Sequence, residues 1–287
     1  MLRRGGGKMI CPECGRKRFV PYVASADGRT LATNEQGECI YGRCDRQDNC
    51  GYHLYPSQIS TDGIKRVERE PEQPIRFFPS VVRTDIKTKL FDYACTKIGV
   101  CKAMDVWEAY RIGRDGSRTM FWQIARDGSV RSGKSIPYLA NGHRDKSDRM
   151  PASWAHKSPT FRGQYTGTAL EQCFFGEHLL DRYSMAGVAI VESEKTAALM
   201  AGCSNGWVWL ASGGAQGLSN EEKNKVLEGR NVILLPDNGQ YWKWRAIADA
   251  HGWKITDVFE RYPLFEGCDI LDYLDAGIFK RKDNTLI

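Results

Sequence analysis

Three patterns in the 287-residue sequence predict an α/β chain, α+β overall. Five of its ten cysteines crowd into residues 11–50. Asp-Gly and Asn-Gly pairs punctuate alternating runs between residues 109 and 147, and strand-like and helix-like segments alternate from about residue 165 onward. The first pattern predicts a metal-stapled ribbon, the second an antiparallel sheet, and the third a parallel sheet covered by helices on both faces. Residues 1–55 are then the ribbon, 56–80 a linker, 81–164 a basic N-terminal part of the core, and 165–287 the parallel-sheet domain.

Composition removes several function classes. Hydrophobic content of 41% and charged content of 26% describe an ordinary folded chain rather than a disordered one. No stretch approaches the roughly 20 apolar residues of a membrane span. The opening "MLRRGGGKMI" lacks the apolar core of a secretory signal and reads as a flexible leader. Ten cysteines without such a signal point to a reducing compartment, the cytoplasm, where thiols serve as ligands or core residues. The net charge of +6 is uneven: +3 over residues 1–76, +6 over 77–150 and −3 over 151–287. A basic front and an acidic back suit a protein that grips a polyanion with one part and a cation with the other.

In the ribbon, Cys11 and Cys14 form a CxxC knuckle whose turn is shaped by Pro12 and Gly15. Zinc takes thiolates at tetrahedral corners, and such a knuckle supplies two at once. Cys44 and Cys50 supply the other two, with Cys39 and His53 as alternatives. The residues between alternate around an "ADGR" turn, as a β-hairpin does. The metal replaces a core too small to fold alone. Any binding role falls to the surface, where Arg16, Lys17, Arg18, Phe19, Tyr22, Tyr41, Arg43 and Arg46 mix cations with aromatic rings.

Residues 56–80 carry four prolines, many charges and no period, hence the linker. "VVRTDIKTKLFDYACTKIG" reads as one or two short helices. The strands that follow carry Arg111, Arg114, Arg118, Arg131, Lys134, Arg144 and Lys146, a basic sheet able to line a groove. Alternate residues share a strand face, so Arg131 and Lys134 sit side by side only if "SGK" makes a turn. Further on, residues 167–184 read as a helix, "VAIVE" as a strand, "SEKTAALMAGC" as a helix and "GWVWLAS" as a strand leading into the glycine loop "GGAQG". "SNEEKNKVLEG" is a helix capped by Ser219 or Asn220, "NVILLPD" a strand, "YWKWRAIADAHG" a helix, "WKITDVFE" a strand and "DILDYLDAG" a last helix.

Ligands of parallel sheets bind at the carboxyl ends of the strands. Glu192 ends one strand, Gly213 to Gly217 follow a second, and Asp237 ends a third, so all three meet at one edge. Carboxylates converging there form a hard-oxygen site suited to magnesium. The plain alternative is that Glu192 and Glu194 favour a helix N-terminus while Asp237 opens a turn. Glu194, further round, is expected to face solvent.

The acid in "VESEKTA", the acid after the strand in "VILLPDNG" and the later "CDILDYL" resemble the three signatures of a toprim domain, shared by bacterial primases, topoisomerases and some nucleases. The order "CPxCG", "GRCDR", "CGYH", "FGEHLL", "VESEKTA", "PD.G" is similar to that of toprim primase-like proteins of bacterial mobile elements and phages, with their N-terminal zinc ribbon. The resemblance runs from Cys11 to Leu274. It implies that Glu192, Asp237 and Asp269 are catalytic and hold magnesium or manganese, with Asp272 nearby. Gly239 stands where the family's second DxD acid belongs, and Asp269 or Glu194 is the substitute. Arg131, Lys134, Arg144, Lys146 and Lys195 are then the contacts to phosphate or nucleic acid.

The activity implied is that of a DNA primase, a nucleotidyltransferase joining nucleoside triphosphates into short primers on single-stranded DNA in mobile-element or phage replication. The rivals are a toprim nuclease and a non-catalytic, zinc-dependent nucleic-acid-binding protein. No GxxxxGK[ST] loop is present, so an unwinding helicase is a separate partner.

Overall fold

The computed structural model describes residues 1–3, 7–24, 28–46, 50–56, 72–147, 152–278, 281–282 and 285–286, and divides the chain into two compact units, Met1–Arg69 and Glu70–Ile287. In the first, β1 (Phe19–Pro21), β2 (Gly42–Cys44) and β3 (His53–Leu54) form an antiparallel sheet in that order. Part of the "ADGR" turn lies outside the described residues, but Val23 bridges Leu31 across it. Cys11, Phe19 and Cys44 form the buried apolar cluster here, with Tyr52 edge-on to Phe19. Gly42 lets the Phe19 ring close over the sheet, since a Cβ there would come within 2.5 Å of the ring. So small a core needs a staple.

The second unit opens with β4 (Arg76–Phe77), α1 (Lys89–Ile98) and α2 (Val100–Ala109). Then come β5 (Ile112–Asp115), β6 (Arg118–Ile124), β7 (Val130–Ile136), β8 (Ser153–Trp154) and β9 (Tyr165–Thr166). They form an antiparallel sheet of order β5-β6-β7-β4-β9, with β8 also on β7. Residues 56–80 are therefore not all linker. Residues 57–71 lie outside the described set, while Phe77 pairs with Val130 and Tyr165 inside the sheet. The reason is "PIRF": Ile75 and Phe77, two residues apart, are buried in one apolar cluster. Helix α1 is capped by the Thr88 side chain, which accepts from Phe91 N, and buries Leu90, Phe91, Ala94 and Ile98.

The "SGK" turn is also corrected. β7 runs unbroken from Val130 to Ile136, with Ser132, Gly133 and Lys134 paired to Gln123, Trp122 and Phe121. Gly133 is there for the Trp122 ring, 2.7 Å from where its Cβ would be. The sheet separates two cores. Met120, Trp122, Ile124 and Val130 join Ile75, Phe77 and Phe161, while Ile112, Phe121 and Ile136 join the helices and the parallel sheet.

That sheet comes from β10 (Gly187–Val191), α3 (Glu194–Cys203), β11 (Trp207–Ala211), α4 (Glu221–Asn224), β12 (Val232–Leu234), α5 (Tyr241–His251) and β13 (Lys254–Ile255). After it come α6 (Val258–Arg261), α7 (Ile270–Asp275) and the short pair β14 (Arg281–Lys282) and β15 (Thr285–Leu286). The order β11-β10-β12-β13 is parallel throughout. Val188 to Val191 are buried on both faces, as four successive apolar residues require.

Two further expectations change. Residues 167–184 hold one 3-10 turn, Glu177–Leu179, and no long helix. Gly176 at φ 88 breaks the pattern, and Phe175 bridges Ala211 instead. In "WKITDVFE", only Lys254–Ile255 is strand, because the Thr256 hydroxyl accepts from Val258 N and turns the chain into α6. Of the two proposed caps, Asn220 is the one that caps α4. Among the described residues no helix is long and apolar enough to cross a membrane.

Candidate functional site

Two knuckles build the thiol cluster. In the first, Gly15 N donates to Cys11 O and Cys11 N to Arg16 O, with Gly15 at φ 65 closing the turn. In the second, Cys50 N donates to Arg46 O. The sulfurs of Cys11, Cys14, Cys44 and Cys50 all lie within 4.8 Å of one another. Two of the edges are 3.8 Å (Cys11–Cys50) and 3.9 Å (Cys14–Cys44). A tetrahedron of bonds of about 2.3 Å has edges of about 3.8 Å, so the cluster fits zinc. The Arg16 amide and, more weakly, the neighbouring thiols hold the Cys14 thiol down to about 7 against burial. At Cys50 the Tyr52 amide pulls down, but burial and the other thiols win and push it up to about 12. A first thiolate thus opposes a second until a cation neutralises both. Cys39 stays outside the cluster, and the His53 Nε2 lies 3.0 Å from the Tyr22 hydroxyl. The zinc is structural.

At the carboxyl edge of the parallel sheet, Glu192 follows β10 directly and Asp237 follows the adjacent β12 by three residues. The Asp237 backbone favours the charged form of the Glu192 carboxyl. One buried oxygen of each acid, Glu192 Oε1 and Asp237 Oδ1, has no hydrogen-bond partner among the described residues. Burial, then the charges of Glu192, Asp269 and Asp272, push the Asp237 carboxyl up to about 8, with Lys195 pulling the other way. Glu192 is also raised, by burial first and then by Asp269, against the pull of the Asp237 backbone and the charge of Lys243.

Asp269 has other duties. Its Oδ1 accepts from Leu271 N and Asp272 N, and Asp272 returns a bond to Asp269 N, a capping box at the start of α7. Its Oδ2 accepts from the Thr196 hydroxyl at 2.6 Å. Among the described residues the four cysteines are the one group of three or more such ligands gathered tightly enough to hold a metal, so Glu192, Asp237 and Asp269 are not such a group. Two unpartnered, buried carboxylate oxygens on neighbouring strand ends still fit a hard cation that keeps most of its waters.

Glu194 does not face solvent. It is 2% exposed, and both its oxygens take the Lys134 ammonium, at 3.1 and 3.3 Å. Lys134 also donates to Gly213 O at 3.1 Å, tying the antiparallel sheet to the glycine loop. Glu194 is therefore engaged, and Gly239, at φ 87, donates its amide to Glu260.

The predicted cations separate. Lys134 and Lys195 come to the acid edge, Lys195 through Gly142 O, which also brings the loop carrying exposed Arg144 and Lys146 alongside. Arg131 instead pairs with Glu171 and Asp127. Lys223 was not singled out by sequence. It is buried, donates to Ser212 O at 2.8 Å and lies 4.2 Å from the Phe174 ring centroid. Burial lowers it to about 8, against the acids around it. Its one sequence signal is the i,i+4 spacing to buried Leu227.

Residues 1–64 match the zinc β-ribbon finger family. No curated protein matches the sequence. Among solved structures, the chain is similar to the DnaG primase catalytic domain bound to single-stranded DNA, with 13% identity, 55% of this chain and 50% of that one covered, and a TM-score of 0.28. The RNA polymerase domain of Mycobacterium tuberculosis primase DnaG gives 15%, 60%, 57% and 0.29. The chain thus spans about half the length of these structures. Residues 88–238, more than half of the sequence, match the family described as a domain of unknown function, DUF6371, and the chain belongs to that family.

Proposed function

We propose that the chain is a primase-like nucleotidyltransferase that makes short primers on single-stranded DNA with magnesium or manganese, its residues 165–287 a toprim domain and 81–164 the basic partner of the site. The observation that carries this reading is the pair of unpartnered, buried oxygens of Glu192 and Asp237 at adjacent parallel strand ends. The motif order from Cys11 to Leu274 supports it. Glu192 and Asp237 hold the cation, which when bound neutralises charge on the triphosphate oxygens. Asp269 orients the start of α7 and, through Thr196, holds it against α3. The bond formed joins a 3′-oxygen to the α-phosphorus, and the bond broken releases pyrophosphate. The hydroxyl proton leaves to solvent, since the free Glu192 oxygen is the one that would hold the cation. Lys195, Arg144 and Lys146 meet phosphates, and the zinc ribbon grips the template.

The test is labelled-nucleotide incorporation on single-stranded DNA with either cation, beside Glu192→Gln. Cation-dependent product that vanishes in the variant supports the reading, and shortened DNA in its place makes the enzyme a nuclease. A module that binds without chemistry is the second reading, favoured by the engagement of Glu194 by Lys134 and of Asp269 in its cap. Binding with no product under either cation decides for it.

A further inference from the structure

At the opposite end of the parallel sheet from the acids, a cleft of about 660 Å³ opens where β11 begins and α3 ends. None of the proposed site residues lines it. Val106, Tyr110, Leu179 and Val208 give it a buried apolar floor. Its volume falls in the range of small-molecule sites, about 300–1,000 Å³.

Three groups on its walls lack something. His178 sets its Nε2 2.9 Å from Ala109 O. A carbonyl only accepts, so Nε2 carries the proton and Nδ1 is an acceptor. That Nδ1 is buried with no partner among the described residues, and burial keeps the ring neutral. Arg182 is exposed on the rim, stacked 5.4 Å over the Tyr183 ring, with no ion-pair partner among the described residues. Tyr183 and Trp207 are 43% and 36% exposed as residues, with Arg182 over the first ring and Gly187 against the second, so each offers a flat ligand its remaining surface.

We infer that this cleft binds a nucleotide. A base supplies the flat face for Tyr183 or Trp207, and a phosphate supplies the anion for Arg182. A sugar phosphate lacks the ring and a nucleoside lacks the charge. This goes beyond the acid-edge reading and stands without it.

The test is calorimetric titration of the full chain with AMP, GMP, CMP and UMP, with adenosine and ribose 5-phosphate as part-ligands. At least one nucleotide binds, and the matching part-ligands bind at least tenfold more weakly. Arg182→Ala, whose guanidinium has no ion-pair partner among the described residues and rests only on the exposed Tyr183 ring, weakens that nucleotide at least tenfold with a thermal melt near wild type. Glu192→Gln with Asp237→Asn leaves it unchanged, which separates the cleft from the acid edge. No binding at millimolar nucleotide, or binding unmoved by Arg182→Ala, overturns the inference. Binding lost in the Glu192/Asp237 variant assigns the nucleotide to the acid edge and also overturns it.

Discussion

The thiols of the ribbon and the carboxylates at the parallel edge differ in what else their members do. The four thiols of the ribbon have converged to within 4.8 Å of one another, with backbone amides as their further neighbours. The carboxylates at the parallel edge are spread out: Glu194 is neutralised by Lys134, Asp269 caps a helix, and only Glu192 and Asp237 keep a free buried oxygen. Convergence with idle ligands marks a site whose metal is part of the fold. Partial convergence with employed neighbours marks an edge that stands folded without a cation.

The sharpest break of that contrast is at the thiols. Removal of zinc, or Cys44→Ser, should unfold residues 1–55, because binding to such sites carries about 10–16 kcal/mol of apparent folding energy. Elemental analysis should give one zinc per chain. Release of metal by Cys39→Ser but not by Cys44→Ser would falsify the ligand assignment.

The Lys134–Glu194 pair comes next. Lys134→Met leaves a 2% exposed carboxylate without its cation and should cost about 3–5 kcal/mol. Adding Glu194→Leu should restore most of it, and chemical denaturation of the three variants reads the cycle. If the single change costs nothing, the pair is not what holds the glycine loop.

Lys223 sharpens the contrast through pH. Its folded value of about 8 lies below the unfolded one, so the unfolded chain binds the extra proton between pH 8 and about 10. The cost of the buried charge is full below pH 8, at about 3 kcal/mol, and stability rises as pH climbs through that window. Lys223→Met should flatten the rise. Matching slopes for wild type and variant would place the charge in solvent.

At the acid edge the expected loss is catalytic. Glu192→Gln and Asp237→Asn should each lower cation-dependent product formation at least about a hundredfold, or about 2.7 kcal/mol, while thermal melts stay near wild type. Full activity in both sinks the proposed site. The smallest effect is electrostatic: Arg144→Ala with Lys146→Ala should lower the slope of log affinity against log salt by about 0.7 per lost single-strand contact. An unchanged slope returns both to an ordinary solvated surface.

What was legible in the sequence was local. A CxxC knuckle, four successive apolar residues before Glu192, and Asn220 before two glutamates each act within a few residues, and the structure keeps all three. What was not legible was long-range. Gly133 looks like a turn until Trp122 is known to lie over it. Glu194 looks exposed until Lys134, 60 residues away, reaches it. Residues 167–184 carry a helical rhythm, but Phe175 finds a better partner in Ala211. The excess of Arg and Lys in the middle segment suggested a groove, yet Arg76, Arg114, Arg126 and Arg131 are each paired with an acid. Formal charge counts cations that the fold has already spent.

Helix α3 carries one consequence for stoichiometry. Its first turn holds Glu194 and Lys195 beside the acid edge, and its last residues reach the far cleft. Ten residues rise about 15 Å, longer than a base with its sugar. Two nucleotides therefore have room on one chain at the same time, neither shading the other. On the two proposals together, a triphosphate drawn to the acid edge by its cation and a nucleotide in the cleft would be counted separately, with α3 as the ruler between them.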